Sequence, residues 1–525
     1  MSRVVVAEKV SEAGLALLRA AGHEVVDLGG APREKLLEAL ADADALLVRS
    51  ATKVDGALLA AAPKLTVVGR AGVGVDNVDV PAASARGVLV LNSPTGNVVS
   101  AVEHTFAVLL ALLRRIPEAA ASMAQGKWEK SKFVGTELAG KTVGIVGLGQ
   151  VGSRVASRAR AFEARVLGHD PFLPAEKAQE MGVPLVPLET LLEQSDVLTL
   201  HSTATDKGRP LIGAAELGRM KPTAVLVNVA RGSLVDRAAL TEALQGKKLA
   251  GAALDVFDPE PPDPNDPLAK LPNVVATPHL GASTVEAQER VSIQTVEALL
   301  EALAGAAYVP AVNFPFRGPK DASGAKGWMR LAERTGHFLS AISNGQLSRL
   351  AIETWGLPED LVRPVAVAAV KGALEAQTPD IVNYVNALYM ASDRGLAVSD
   401  TRHEEPGNYA RSIRVTLTGG GSKGSADATL FAGSDARVVE VDRLPLEFRP
   451  EGTVVYLRNH DVPGVVGGVG TILGEAGINI ADFSLARGDG QRAAAVIAVD
   501  TAPPPAVLDR LRGLAAVEEV RVVTW

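Results

Sequence analysis

The stretch that most restricts what this chain can become is residues 141–152, KTVGIVGLGQVG. A β-branched apolar run, Val143, Ile145 and Val146, leads into Gly147-Leu148-Gly149-Gln150-Val151-Gly152, and a helical pattern, SRVASRARAF, follows. Strand, glycine turn and helix start stand in the order that a dinucleotide-binding βαβ unit requires. In such a unit the position of Gly147 permits the tight turn, that of Gly149 lets a pyrophosphate approach the backbone, and that of Gly152 lets helix pack on strand. The helix N-terminus, where Gln150 and Val151 lie, offers unpaired N–H groups and a positive dipole end to phosphates. In a chain with 51 glycines the spacing alone is weak. Its context strengthens it: a second strand pattern over 165–169 ends in Asp170. That carboxylate lies about 20 residues on, where an acidic group binds a ribose 2′-hydroxyl and repels a 2′-phosphate. The expected cofactor is NAD; the alternative is a glycine-rich βα turn of some other doubly wound protein.

A chain of 525 residues exceeds one hydrophobic core, so two to four domains are expected. A net charge of -7, 4% aromatic content and the absence of a dense Lys/Arg run give no reason to expect nucleic acid. There are no cysteines, which excludes disulfides, thiolate metal sites and a cysteine nucleophile, and fits a reducing compartment. No metal is expected. The N-terminal MSRVVVAEKV has too short an apolar run for a secretory signal. The longest apolar stretch, within 98–113, is interrupted by Glu103 and His104, and falls short of the ~20 residues that span a membrane. A cytoplasmic protein with no membrane partner is the expectation.

Residues 1–97 alternate short β runs with helical patterns, which argues for βαβ units on a parallel sheet. Residues 98–122 read as one long helix, and the alternation resumes to 288. After a second long helix, over 284–303, the chain is expected to return to the first unit near 308–313. The expected domains are therefore a discontinuous substrate-binding domain (1–97 and 289–317) and a nucleotide domain inserted in it (98–288). The stretch 314–327, FPFRGPKDASGAKG, reads as a linker. Residues 318–451 carry helical patterns at 328–343, 359–376 and 381–391, then β runs at 413–417, 426–431 and 437–441, as in an independent α+β domain. Residues 452–525 follow the order βαββαβ of the ferredoxin-like split βαβ arrangement. The fold class is α/β: two Rossmann-like doubly wound parallel sheets, an α+β intervening domain and a ferredoxin-like domain.

Three segments beyond the glycine loop, each after a strand, carry groups suited to chemistry. In Asn228-Val229-Ala230-Arg231-Gly232 the arginine's planar fork suits a substrate carboxylate; it reads equally as a surface arginine in an Arg-Gly turn. In residues 253–262, ALDVFDPEPP, Asp258 reads as a solvated turn residue, whereas prolines on both sides of Glu260 restrict where it points. In residues 277–283, TPHLGAS, His279 can exchange a proton near neutral pH, although a hydrogen-bonded structural histidine is the commoner case. Taken together they make a set. Oxidising a 2-hydroxy acid needs a hydride acceptor, a base for the hydroxyl proton and a cation for the carboxylate, roles that NAD, His279 and Arg231 fill. Glu260, hydrogen-bonded to His279, would orient the ring and raise its pKa.

With these residues in view, VRSATKV, VGRAGVGVDNVD, GLGQVG, NVARGSLVD, ALDVFDPEPP and PHLGASTVEAQ resemble the signatures of the D-isomer-specific 2-hydroxyacid dehydrogenases in their long form. The resemblance covers nearly the whole chain. It implies NAD-dependent oxidation of 3-phospho-D-glycerate to 3-phosphohydroxypyruvate, the first committed step of L-serine biosynthesis. It assigns substrate binding and catalysis to Arg231, acid–base work to His279, and the role of histidine partner to Glu260. It places substrate near Arg49, Ser50, Arg70, Gly72, Val73 and Gly74. It adds Asp170, His201, Ala230, Asp255 and Gly281 to the cofactor pocket, which Arg231 and His279 also border. The loop with Trp128, Lys130 and Lys132 resembles one that reaches a neighbouring subunit, and a homotetramer is the family expectation. Residues 452–525 resemble an ACT domain, implying an L-serine effector contacted by Asp461 and Asn479. Residues 318–451 resemble the allosteric domain of the longest forms; Arg437, Arg443 and Arg449 there read as solvated surface arginines rather than an anion site. One departure is the absence of the proline often found after the His-Ser pair in residues 201–208. The rival expectations are a hydroxypyruvate or glyoxylate reductase on the same fold, and an NAD-sensing corepressor-like binding protein.

Overall fold

The protein is described by a computed structural model covering residues 1–203, 209–305, 311–316, 322–488 and 492–525. Five short apolar runs form the first sheet: β1 (Arg3–Val6), β2 (Glu24–Asp27), β3 (Ala45–Val48), β4 (Val67–Arg70) and β5 (Leu89–Asn92). They are parallel, in the order β2-β1-β3-β4-β5. With helices on the faces of the sheet, β3 is buried along its whole length, which is why its sequence, ALLV, does not alternate. The helix Val285–Leu303 packs on β4 and on the helix Glu12–Ala20, so it covers this sheet although it follows the next one in sequence. The chain meets the first sheet again at Val312, whose N–H donates to Val90 O, and at Asn313, whose Oδ1 accepts from Val90 N. The earlier part of the expected crossing, 306–310, lies outside the described residues.

The second sheet is also parallel: β6 (Thr142–Val146), β7 (Arg165–His169), β8 (Val197–Leu200), β9 (Val225–Asn228), β10 (Gly251–Leu254) and β11 (Val274–Ala276), in the order β11-β10-β9-β8-β6-β7. Strand order reverses between β1 and β3 in one sheet and between β6 and β8 in the other. Doubly wound sheets bind ligands outside the carboxyl ends of the strands at such points.

The segment expected as one helix over 98–122 is two, Val98–Leu113 and Ile116–Ala124, with Arg115 in the left-handed region at φ +52° between them. Pro117 explains the break: it has no N–H for the carbonyl of Leu113, and its ring would crowd that carbonyl in a continuous helix. Leu113 O instead accepts from Thr136 N at 2.9 Å.

The mixed third sheet comprises β12 (Leu347–Trp355), β13 (Ala397–His403), β14 (Ser412–Gly419), β15 (Ser422–Phe431) and β16 (Asp435–Val441), in the order β13-β12-β14-β15-β16. The helices Ala322–Ile342 and Glu359–Glu375 pack together beside it. Three expectations change here. The 314–327 stretch is a linker only in part: helix begins at Ala322, and Ala325 is already buried; residues 317–321 lie outside the described residues. The helix expected at 381–391 is confined to Ala387–Asp393. Ahead of it Asn383 and Asn386 hold a turn with their side chains, Asn386 Oδ1 accepting from Asn383 N and Asn383 Oδ1 from Val385 N. Finally, β12 and β13 are strands that no pattern announced, because their exposed positions carry charged residues such as Arg349, Glu353 and Arg402.

The last unit comprises β17 (Thr453–His460), β18 (Ile480–Arg487), β19 (Arg492–Val499) and β20 (Val517–Thr524), antiparallel in the order β18-β19-β17-β20, with helices Val465–Glu475 and Pro505–Arg512. Its sheet is apolar on both faces. Val455, Leu457 and Ile497 face the two helices, whereas Val454, Tyr456, Val496 and Val523 enter the core around Phe338 and Phe448 of the preceding unit. The two C-terminal units therefore share a core, closed by Trp525 Nε1 donating to Arg334 O at 3.2 Å.

Candidate active site

After β6 the chain turns at Gly147, whose φ is +84° and whose N–H donates to His169 O. A methyl on Gly152 would lie 1.9 Å from Gly147 O, so only glycine lets the helix Gln150–Ala161 sit this close. Among the described residues nothing lies within 4 Å of where a methyl on Gly149 would stand, at the helix N-terminus. Gln150 and Val151 form the first residues of that helix, which has no side-chain cap. Asp170, just past β7, accepts from Leu148 N at 2.9 Å and from Phe172 N at 3.0 Å, fixing its carboxylate beside the turn. His201, past β8, bonds Thr199 Oγ1 at 2.9 Å. Burial lowers its pKa to about 4, so it is neutral at pH 7. Open glycine backbone, an uncapped helix N-terminus and a fixed carboxylate fit a dinucleotide with a free 2′-hydroxyl. The remaining part of the segment lacking the expected proline, 204–208, lies outside the described residues.

Past β9, Asn228 folds the chain back on itself: its Oδ1 accepts from Ala230 N and its Nδ2 donates to Arg231 O. Past β10, Glu260 returns to accept from Phe257 N at 2.9 Å through Oε1, and its Oε2 lies 2.8 Å from His279 Nδ1. A carboxylate only accepts, so Nδ1 carries the proton and Nε2 is left to exchange one with a substrate. The Glu260 bond raises the His279 pKa against the opposing effect of burial. Burial raises Glu260, but the bonds from His279 and Phe257 outweigh it and hold the carboxyl below its ordinary value. His279 sits at φ +54°, a conformation rare outside glycine. Asp255 secures it: its O accepts from His279 N, its Oδ1 from Leu280 N and its Oδ2 from Gly281 N.

The cationic side of the cleft comes from the first sheet. Glu8, past β1, accepts from the backbone N–H groups of Arg49, Ala51 and Thr52 at 2.8–3.1 Å, and so shapes the loop holding Arg49 and Ser50 past β3. Burial alone would raise the Glu8 carboxyl; those three donors lower it instead. Asn77 Nδ2 ties the same loop through Arg49 O and Thr52 O, and Asn92 Nδ2 holds the turn of Gly72, Val73 and Gly74 through Val73 O. A methyl on Gly72 would lie 1.5 Å from Arg70 Nη1, and one on Gly74 1.9 Å from Arg231 Nη2. The two glycines thus leave room for two guanidinium groups. Arg70 Nε is buried and has no hydrogen-bond partner among the described residues. Burial, and then the like charge of Arg231, depress its pKa. Arg231 Nε pairs with the exposed Asp76 at 3.1 Å. Arg231 also acts electrostatically on both His279 and Glu260, as it does on Arg70.

The two effector candidates have different surroundings. Asp461 lines a cavity of about 370 Å³ with Asn459, Gly464, Leu485 and Arg487, and lies 3.3 Å from Arg487 Nε. Asn479 is not among that cavity's lining residues and donates to Asp500 Oδ2. Arg437 and Arg449 both bind Asp435, which supports their reading as surface arginines; Arg443 adopts φ +67° in the turn after β16. Glu8, Asp76 and Asn77 escaped sequence reasoning, as did any role for Gly232 beyond its place in an Arg-Gly turn. The first three lie at the ends of apolar runs, a position that could have flagged them. A methyl on Gly232 would lie 2.1 Å from Phe257 C and O, a contact that only the fold creates. Among the described residues no group of three His, Asp or Glu side chains is arranged to hold a metal, and no helix is long and apolar enough to cross a membrane.

The D-isomer-specific 2-hydroxyacid dehydrogenase NAD-binding domain matches residues 106–281, the D-3-phosphoglycerate dehydrogenase intervening domain residues 325–442, and the ACT domain residues 453–516. The chain is 40% identical over 516 residues to the D-3-phosphoglycerate dehydrogenase of Archaeoglobus fulgidus, covering 98% of each. It is 40% identical to that of Bacillus subtilis, over 93% of this chain and 92% of the other. Among solved structures it is similar to the D-lactate dehydrogenase of Aquifex aeolicus complexed with NAD and lactic acid, at TM-score 0.50 and 28% identity, over 58% of this chain and 96% of that one.

Proposed function

The chain belongs to the D-isomer-specific 2-hydroxyacid dehydrogenase family, in its D-3-phosphoglycerate dehydrogenase branch, and on that premise we propose that it oxidises 3-phospho-D-glycerate to 3-phosphohydroxypyruvate with NAD. The observation that carries this is that Arg231 interacts electrostatically both with Arg70 and with the hydrogen-bonded Glu260–His279 pair, so two cations and an acid–base pair belong to one site. A substrate with one carboxylate and one phosphate calls for more than one cation. Arg70, with a buried Nε lacking a partner among the described residues, is poised to gain from such an anion.

Arg231 exchanges its exposed Asp76 partner for the substrate carboxylate, which aligns C2. His279 Nε2 takes the hydroxyl proton while Nδ1–H stays on Glu260, which stabilises the imidazolium that forms. Bound NAD supplies the acceptor for the C2 hydride, leaving a ketone. Arg49, Ser50 and the Gly72–Gly74 turn hold the phosphate end.

The same proposal includes a cytoplasmic homotetramer inhibited by L-serine. Trp128 and Val134, 82% and 79% exposed on the loop after the helix Ile116–Ala124, support an association surface. The Asp461 cavity supports a small polar effector, and the absence of Asn479 from its lining fits a site completed by a second copy.

The test is to mix pure protein with 3-phosphoglycerate and NAD, with product removal, and to follow NADH absorbance. Turnover that falls as L-serine rises is expected. Turnover of glyoxylate or hydroxypyruvate with none of 3-phosphoglycerate would replace the substrate assignment; indifference to millimolar serine would remove the regulatory part alone.

A further inference from the structure

His104 lies on the helix Val98–Leu113, which packs on β9, β10 and β11 of the nucleotide sheet. Its Nε2 lies 3.0 Å from Asp255 Oδ1 and 3.1 Å from Thr277 Oγ1, and its side chain is 16% exposed. The hydroxyl of Thr277 spends its single proton on Asp255 Oδ1, at 2.6 Å. Thr277 Oγ1 and the carboxylate therefore both present lone pairs to the imidazole, so Nε2 is the donor and its proton is shared between them. Asp255 is fully buried and takes four donors: His104, Thr277 and Leu280 N on Oδ1, and Gly281 N on Oδ2. Three of the four are used to seat the 277–281 turn or lie in it. That turn holds His279 at φ +54°. Among the described residues His104 is the one donor from outside the turn.

A buried carboxylate that loses a charge-assisted donor either moves or draws in water. Either response reaches His279 directly, because Asp255 O also accepts from His279 N at 2.8 Å. Oδ2 accepts from Gly281 N and Oδ1 from Leu280 N, so both oxygens are tied to the turn.

We propose that His104 is a positioning residue: from the helix Val98–Leu113 its Nε2–H fixes the Asp255 carboxylate, which holds the His279 turn in its left-handed conformation and, with it, Asp255 and Gly281 at the proposed cofactor pocket. This rests on the proposed dehydrogenase function. His104 itself exchanges no proton with substrate.

The experiment compares His104→Leu with His104→Gln, whose amide nitrogen reaches about as far as Nε2 and keeps a donor. NADH affinity is measured by fluorescence titration, and kcat and KM are measured with 3-phosphoglycerate. The leucine variant should bind NADH about fivefold more weakly and lose about tenfold in kcat, with KM for the hydroxy acid within twofold. The glutamine variant should stay within threefold of wild type in each. Should His104→Leu not fold, His104→Asn, whose amide stops short of Asp255, takes its place. Equal damage from leucine and glutamine, or no damage from leucine, would overturn the proposal. Wild-type protein inactive on 3-phosphoglycerate would count against the substrate assignment only, since the NADH titration still decides the role of His104.

Discussion

The substitution Gly232→Ala adds one methyl where two strand ends touch backbone to backbone. An ideal Cβ at this position would lie 2.1 Å from Phe257 C and O and 2.6 Å from Asp258 N. Ordinary contact needs roughly 3.5 Å, so the segment past β10 must retreat by more than about 1 Å. Neither neighbour is a flexible side-chain end; both are main chain. Phe257 N donates to Glu260 Oε1, so the retreat pulls on the carboxylate that holds His279 Nδ1. A displacement of about 1 Å in a catalytic constellation costs on the order of 100-fold in rate. We therefore expect kcat with 3-phosphoglycerate and NAD to fall roughly 100-fold, and overpacking to cost about 1–3 kcal/mol of stability. NADH affinity, which the Gly147–Gly152 turn and Asp170 also support, should change much less than kcat, by no more than about fivefold. Stopped-flow or steady-state NADH absorbance and a fluorescence titration measure the two quantities. A Gly232→Ala enzyme with kcat within threefold of wild type would refute the claim that this backbone contact sets the Glu260–His279 geometry.

Glu260→Gln removes the charge that raises the His279 pKa, and hydroxyl oxidation needs the unprotonated ring, so the acidic limb of kcat/KM against pH should move to lower pH. The pair stabilises the fold below the ordinary histidine pKa, and this contribution disappears as pH rises through the raised value. The melting difference between wild type and Glu260→Gln should thus be visible near about pH 6 and absent near about pH 9. With side chains 48% and 37% exposed, screening limits it to about 1 kcal/mol or less. Glu8→Gln keeps one oxygen for the N–H groups of Arg49 and Thr52 but turns an NH₂ toward the N–H of Ala51. The loss of about 1–2 kcal/mol at the Arg49 loop should raise KM for 3-phosphoglycerate roughly tenfold with kcat within threefold; an unchanged KM would deny the loop a role in binding. Asp170→Ala should raise the use of NADP relative to NAD; a wild type that already prefers NADP would show the role given to Asp170 to be mistaken.

The local elements around the cofactor turn are written in the sequence, because each depends on neighbours in the chain. β-branched runs, a glycine at φ +84° and an amphipathic helix start within a dozen residues make the unit from β6 into the helix Gln150–Ala161. The same holds for the βαββαβ order of the last unit. What sequence could not resolve was local competition: Pro117 splits one apolar helix in two, and Asn383 and Asn386 replace a helical turn with side-chain bonds. Charged exposed faces hid β12 and β13.

The candidate site divides along the same line. Arg231, Glu260 and His279 were legible because each is a chemically capable residue just past an apolar run, and a family resemblance gave them roles. Their pairing was not legible. Glu260 reaches His279 across 19 residues, Glu8 shapes the Arg49 loop from 41 residues away, and His104 meets Asp255 across 151. Sequence alone determined which backbone conformations and which chemical groups this chain has, since those follow from covalent structure and short-range sterics. Only the tertiary structure decided which buried carboxylate meets which donor and where two backbones touch, because those contacts depend on parallel strands bringing distant chain segments to one sheet edge.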